Sequence, residues 1–187
     1  MPTPSDDVLV DRARAGDDTA FARLVDRYES QVAAVIIGML GDGPEAQDVG
    51  QETFVRFYRA LDQFRGDASV GTYLTRIAIN QALKASKRRQ RWYQRFLPRD
   101  NAPPDAEPTG NLSDDVDVTE RQAQVHAALQ RIDEKHRAVV VLRILQGYST
   151  RETASMLDVP EGTVMSRLSR ALDKLEPLLA PVVSTEA

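Results

Sequence analysis

Apolar residues along the chain recur every three or four positions and nowhere alternate as a half-buried strand would. Ser5 stands where a helix cap would, ahead of a short helix expected over Val8–Ala15 and ended by Gly16. Asp17 can cap the next helix. In it Phe21, Leu24, Val25, Tyr28, Val32, Val35, Ile36 and Met39 keep a helical period to about Leu40. Gly41-Asp42-Gly43 reads as a turn, and Pro44 suits a first helical position, where its missing N–H costs nothing. Glu45–Leu61 follows, with Ala46, Val49, Thr53, Phe54, Phe57, Tyr58 and Leu61 along its apolar side. Asp62–Ser69 is a loop built around Gly66. A long helix then spans Val70–Arg95, with Leu74, Ile77, Ala78 and Leu83 inward.

The pattern stops at Leu97–Val118. This stretch has Pro103, Pro104, Pro108 and Gly110, many acids and almost no large apolar residue, so it is expected to be a flexible linker. Periodicity returns near Thr119 with Val125, Leu129 and Ile132. Asp133 can cap a further helix whose buried candidates are Ala138, Val139, Val141, Leu142 and Leu145, and which Gly147 ends. Ser149 or Thr150 caps Thr150–Leu157. Asp158-Val159-Pro160 breaks the run, because the residue before a proline is pushed out of the helical region. The last helix is expected from Pro160–Thr163 to about Leu175, with the tail after Leu179 frayed. Its inward stripe is Val164, Leu168, Ala171/Leu172 and Leu175. Its outer face carries Met165, Ser166, Arg167, Ser169, Arg170 and Lys174.

A short helix, a turn and a longer helix with a polar, basic face is the helix-turn-helix pattern, whose second helix enters a major groove. Ala154 fits it, being small where the two helices cross. An ordinary helical hairpin with a solvated face fits the same residues. The fold expected is all-α. Two small helical domains, residues 1–96 and 119–187, are joined by the acidic linker 97–118, and the second is a four-helix unit containing the helix-turn-helix.

Composition narrows the chemistry. The 187 residues include no cysteine and two histidines, His126 and His136, so a disulfide framework, a thiolate site and a histidine-rich zinc site are excluded. The longest apolar run, Val32–Leu40, is too short to span a bilayer. The start MPTPSDD has neither the basic end nor the apolar core of a signal peptide, so a cytoplasmic protein is expected. Net charge is −4, yet the charge is strongly segregated. Lys84–Arg99 holds seven cations and no acid, and Asp100–Glu120 holds seven acids and no base.

Within Val70–Arg95, Arg76, Asn80, Lys84, Lys87/Arg88 and Arg91 step by three or four into a stripe roughly 20 Å long. Such a stripe neutralises phosphates. Phe64, Tyr73, Trp92, Tyr93 and Phe96 flank it, and a basic groove with stacking faces holds unpaired bases. For Phe64 and Trp92 a place in the core is an equal alternative. Asp48, Gln51 and Glu52 form an acidic face on Glu45–Leu61, either solvated or a dock for a basic partner. Gly50 in mid-helix either permits a close approach or has no role. No Walker, nucleophile-elbow or zincin motif occurs, and no Glu-x-x-His pair supports a di-metal bundle. No enzyme, metal, cofactor or small-molecule substrate is expected.

Three blocks taken together, EAQDVGQETF (Glu45–Phe54), LDQFRGDASVGTYLTRIAIN (Leu61–Asn80) and GYSTRETASMLDVPEGTVMSRLSRAL (Gly147–Leu172), resemble the extracytoplasmic-function sigma factors of bacteria. These are two-domain initiation factors of RNA polymerase. The resemblance implies that Asp48, Gln51, Glu52 and Phe54 dock on the coiled coil of the polymerase's largest subunit. Phe64, Arg65, Ser69, Tyr73, Arg76, Asn80, Lys84 and Arg88 would read and hold the melted −10 strand. Ser149, Thr150, Thr163, Met165, Ser166, Arg167, Ser169 and Arg170 would face the −35 duplex. It further implies a contact with the polymerase flap, passage of the acidic linker toward the RNA exit path, and an anti-sigma partner. Tyr73 stands where the family usually has tryptophan, and Met165 where a lysine or arginine is common. A conventional regulator, with a helical N-terminal sensor joined to a helix-turn-helix, is the alternative. It has no need of the basic–aromatic stripe.

Overall fold

The computed structural model describes residues 4–96 and 116–183. Every regular element in them is helical: α1 (Asp6–Arg14), α2 (Asp18–Leu40), α3 (Pro44–Ala60), α4 (Val70–Phe96), α5 (Val116–Gln130), α6 (Glu134–Val140), α7 (Thr150–Leu157) and α8 (Glu161–Val183). Most of the linker expected over 97–118 lies outside the described residues, and α5 begins within its last three positions.

Local chemistry sets the helix ends. Asp17 caps α2, accepting from the N–H groups of Thr19 at 3.0 Å and Ala20 at 3.2 Å. The Thr19 hydroxyl and the Arg12 guanidinium also bind this carboxylate, and together they hold its pKa at about 2. Pro44 opens α3. Ser5 occupies the cap position of α1, but its hydroxyl makes no cap bond, and the helix starts at Asp6 rather than Val8.

The first four helices bury one core. Phe57 of α3 is fully buried, with Phe21, Phe64 and Tyr73 ringed about it at centroid distances of 5.9–6.1 Å. Phe64 is 7% exposed, so its ring belongs to this cluster. Tyr58, expected inward, is 47% exposed and meets Phe21 edge-on. Gly71 lets α4 lie close to α2, since a Cβ there would fall 2.9 Å from Tyr28.

In the second half, α5, α6 and α8 enclose Leu129, Ile132, Val140, Ala171 and Leu175. Val139, Ala154 and Val164 pack where α6, α7 and α8 meet. After Val140 the backbone widens into a π turn over Val141–Leu145, with Gln146 N–H reaching back five residues to Val141 O. The wider turn rotates the end of the apolar stripe outward. Leu145, expected buried, is 43% exposed, and Leu172 facing the same groove is 46% exposed. The last helix outruns its expected end. It continues past Pro177 because Leu178 and Leu179 still pack on the α5 side.

The two halves share a buried joint. Ala138, Val141, Leu142 and Met156 belong to the same apolar cluster as the α1–α4 core. Gly38 of α2 makes room for them, since a Cβ on it would lie 3.0 Å from Val141 Cγ2. Polar groups lock the seam. Gln31 Nε2 donates to Tyr148 Oη at 3.0 Å and to Thr75 Oγ1 at 3.1 Å, and Tyr148 O–H donates to Thr75 at 3.0 Å. Arg137, 5% exposed, donates to Met39 O, to Gln130 O at 2.8 Å and to Ile132 O at 2.9 Å.

Gly50 has no comparable neighbour. A Cβ there would meet only Ile36 Cδ1, at an ordinary 3.9 Å. Gly50→Ala is therefore expected to raise stability by about 0.5–1 kcal/mol, through lower unfolded-state entropy and better helix propensity. Urea unfolding checks this, and a lower midpoint would mean that the bare backbone is used for something else.

Candidate nucleic-acid and docking surfaces

On α3, Asp48, Gln51 and Glu52 share one face at helical spacing. Asp48 and Gln51 are exposed, and Glu52 pairs with Arg56 at 2.6 Å. Phe54 points elsewhere, half-buried against the core. The face is continued instead by Val55, 42% exposed, and Tyr58. Val55 was not singled out from the sequence, and Tyr58 was placed on the apolar side instead. The available signal was their position four and seven residues beyond Gln51, overridden for Tyr58 by an apolar side that was drawn too wide.

Between α3 and α4 lies an open groove of about 530 Å³, whose lining includes Arg56, Arg59, Gln63, Tyr73, Arg76 and Asn80. The spacing argument found Tyr73, Arg76 and Asn80. It missed Arg56 and Arg59, which come from the other helix and converge only in three dimensions. Tyr73 is half-buried, its ring edge-on to Phe64 at 5.2 Å. Phe64 is thus a support behind Tyr73, not a free stacking surface, which corrects its expected place on the DNA face. The connecting loop is anchored at both ends. Arg14 of α1 donates to Leu61 O at 2.8 Å and to Phe64 O. Ser69 Oγ accepts from Thr72 N–H at 3.1 Å and so caps α4. Between those anchors Arg65 is exposed.

Further along α4, Asn80 donates to Arg76 O at 2.8 Å and reaches Met156 O of α7 at 3.5 Å. Lys84 is exposed. Arg88 is exposed but lies 3.3 Å from Glu45, which also faces Arg89 at 3.6 Å. Trp92 and Phe96 are 54% and 61% exposed, with ring centroids 5.6 Å apart, so the core alternative for Trp92 falls away.

The α7–turn–α8 unit is built tightly. Ser149 and Glu152 form a capping box: Glu152 N–H donates to Ser149 Oγ at 3.2 Å, and Ser149 N–H donates to Glu152 Oε2 at 2.8 Å. The hydroxyl and amide of Ser149 hold the Glu152 carboxyl below its usual pKa. Asp158 ends α7 in the left-handed region, φ 52°, and α8 departs at Glu161. Met165 (65% exposed), Ser166, Ser169 and Arg170 form the outward face of α8, while Thr150, Thr163 and Arg167 are half-buried at its edges. Ser166 O–H donates back to Thr163 O at 3.1 Å. His136 behind this face is held below its ordinary pKa by burial, then by the positive charges of Lys174, Arg167 and Arg170. Arg167, Arg170 and Lys174 follow one another at three- and four-residue spacing along α8. Beside it, Val125, Leu129, Val140, Ile144, Leu145 and Leu172 help line an apolar groove.

Among the described residues, no group of acidic, histidine or cysteine side chains could hold a metal, and no helix is long and apolar enough to cross a membrane.

Residues 24–92 match the Sigma-70 region 2 family, and residues 122–175 match the Sigma-70, region 4 family. The chain is 34% identical to the RNA polymerase sigma-H factor of Pseudomonas aeruginosa, over 95% of both chains. It is also 34% identical to the ECF RNA polymerase sigma-E factor of Escherichia coli K12, over 96% of both. Among solved structures it is similar to CnrH in complex with the cytosolic domain of CnrY, with TM-score 0.65, 28% identity and coverage of 94% of this chain and 97% of that one. It shares the fold of RpoE from Bartonella quintana, solved with the anti-sigma factor NepR, at TM-score 0.62 and 23% identity over 86% of this chain and 96% of that one. With both regions present in order and relatives matching end to end, the chain belongs to the extracytoplasmic-function group of the sigma-70 family, the alternative sigma factors of transcription initiation.

Proposed function

We propose that residues 1–96 dock on core RNA polymerase and hold the melted −10 strand, and that residues 119–187 read the −35 duplex. The observation that carries this division is the arginine–tyrosine groove between α3 and α4, joined in one chain to a cation-bearing helix-turn-helix face. Polymerase supplies the chemistry. The chain is not an enzyme, binds no cofactor or small-molecule substrate, and works in the cytoplasm, where the polymerase is.

The α3 stripe of Asp48, Gln51, Glu52 and Val55 is the docking face for the coiled coil of the largest subunit. Its acids suit a basic partner, and Val55 adds apolar contact at the centre. In the groove, Arg56, Arg59 and Arg76 neutralise phosphates, while Tyr73, backed by Phe64 and Phe57, offers a fixed ring against which an unstacked base can rest. Lys84 and Arg88 extend the phosphate track along α4. On α8, Arg167 and Arg170 supply base or phosphate contacts, and Met165 supplies apolar surface without a hydrogen bond. Specificity at the −35 element then leans on few base contacts and on DNA shape. The apolar groove lined by Ile144, Leu145 and Leu172 suits the polymerase flap and, alternately, an anti-sigma factor of the kind seen with the solved relatives.

Run-off transcription with core polymerase on genomic fragments tests the whole reading. Promoter-directed transcripts are expected only when this protein is added. If none arises from any fragment, the assignment fails. Arg170→Ala is expected to weaken −35 duplex binding by about 1–3 kcal/mol with core association unchanged. An equal fall in core association would place Arg170 in the scaffold. Tyr73→Leu is expected to weaken binding of a single-stranded −10 oligonucleotide by about 1–2 kcal/mol and to spare −35 binding. Unchanged oligonucleotide affinity would remove Tyr73 from the site.

A further inference from the structure

The end of α4 runs on past the helices that cover its start. Leu74, Ala78, Ala82 and Ala85 form its buried stripe. Arg89 ties it to both neighbours, donating to Leu40 O at the end of α2 at 3.4 Å and facing Glu45 at the start of α3 at 3.6 Å. Gln90–Phe96 follow that tie. At 100° per residue, Trp92 and Phe96 both lie within about 20° of the line of Ala85, so the apolar stripe continues beyond the core. Both rings are exposed, and they pack on one another at a centroid distance of 5.6 Å, with Tyr93 edge-on to Trp92 at 5.4 Å. Arg88 and Arg95, both exposed, flank this aromatic knob within about 60° of Trp92. No acid occurs from Lys84 to Phe96. The knob is not part of the proposed −10 track, since Arg76, Asn80, Lys84 and Arg91 lie roughly 100–180° round the helix from Ala85.

A base stacks on an open ring face, whereas these three rings pack on one another and are turned away from the strand-holding side. A compact aromatic knob flanked by cations matches a different partner, the boundary of an anionic bilayer. There amphipathic rings sit among the headgroups, arginine stems lie along apolar surface, and guanidinium groups bond lipid phosphates. We propose that the C-terminal end of α4 is a reversible anchor for an anionic phospholipid surface, seated by Trp92 and Phe96 and held by Arg88 and Arg95. It lies on the membrane without crossing it, as no described helix is long and apolar enough to do so. Rings and cations are each weak signals alone, and the two together are what peripheral attachment takes. Arg88 lies 3.3 Å from Glu45 with its side chain 77% exposed, and an ion pair that open is readily exchanged for a phosphate. Arg88 also belongs to the phosphate track of α4, so lipid and promoter strand compete for it. That competition rests on the −10 reading above, and the anchor itself does not.

Trp92 is the chain's single tryptophan, so its emission reports this site in the unaltered protein. Vesicles of equimolar phosphatidylcholine and phosphatidylglycerol should shift that emission to the blue, and bromination of the phosphatidylcholine chains should quench it. Vesicles of phosphatidylcholine alone, or free glycerol phosphate, should do neither. Phe96→Ser should weaken vesicle binding about tenfold with helical content kept. Arg95→Gln should weaken it at low salt and make little difference at high salt. If Phe96→Ser does not fold, quenching of the wild-type emission still decides. No blue shift, or a shift that brominated chains do not quench, overturns the anchor. So does a response to a single-stranded or duplex oligonucleotide with none to vesicles, which makes the knob a nucleic-acid contact instead. A quenched, blue-shifted emission on anionic vesicles, in a protein that directs no transcription, supports the anchor and counts against the sigma reading alone.

Discussion

The guanidinium of Arg137 sits between two helix ends, those of α2 and α5. The last carbonyls of a helix have no partner within it, and buried ones must find a donor elsewhere. Arg137 answers for Met39 O at the end of α2 and for Gln130 O and Ile132 O at the end of α5. It does so while nearly excluded from water, and burial, reinforced by Arg89, brings its pKa down to about 10. Replacing it by an apolar residue would leave at least three buried acceptors unmet, each at a cost of about 1–3 kcal/mol. Gly38, Val141 and the Tyr148 network lie along the same joint between α2 and the second half.

Helix order, helix caps and the helix-turn-helix were legible in the sequence because each rests on local chemistry. Asp17, Pro44, Ser149 and the Asp158-Val159-Pro160 break act within a few residues of themselves. What was not legible is non-local. Arg56 and Arg59 enter the groove from a different helix than Arg76. Tyr58 and Leu145 look like core by periodicity, but α3 has less cover than its apolar side suggests, and a π turn shifts the register after Val140. The role of Gly38 emerges only when Val141, about a hundred positions later, is brought against it. By contrast Gly50, the glycine that drew attention in the sequence, has ordinary space around it.

Stacking shows the same division. Phe64, Tyr73 and Trp92 are equivalent aromatic residues in a list, yet the fold gives them three tasks. Phe64 fills the core, Tyr73 leans on Phe64 and Phe57 while lining the groove, and Trp92 stands exposed beside Phe96. A ring propped from behind has little freedom left to lose on contact, which is the preorganised form of a stacking surface.

Belonging to one chain makes the joint a matter of local concentration. Two surfaces carried on one chain can meet at an effective concentration in the millimolar range. A contact too weak to hold two separate proteins together can therefore still keep one chain mostly folded upon itself. The seam of Gln31, Thr75 and Tyr148 adds hydrogen bonds to a joint whose close fit depends on a single glycine, Gly38.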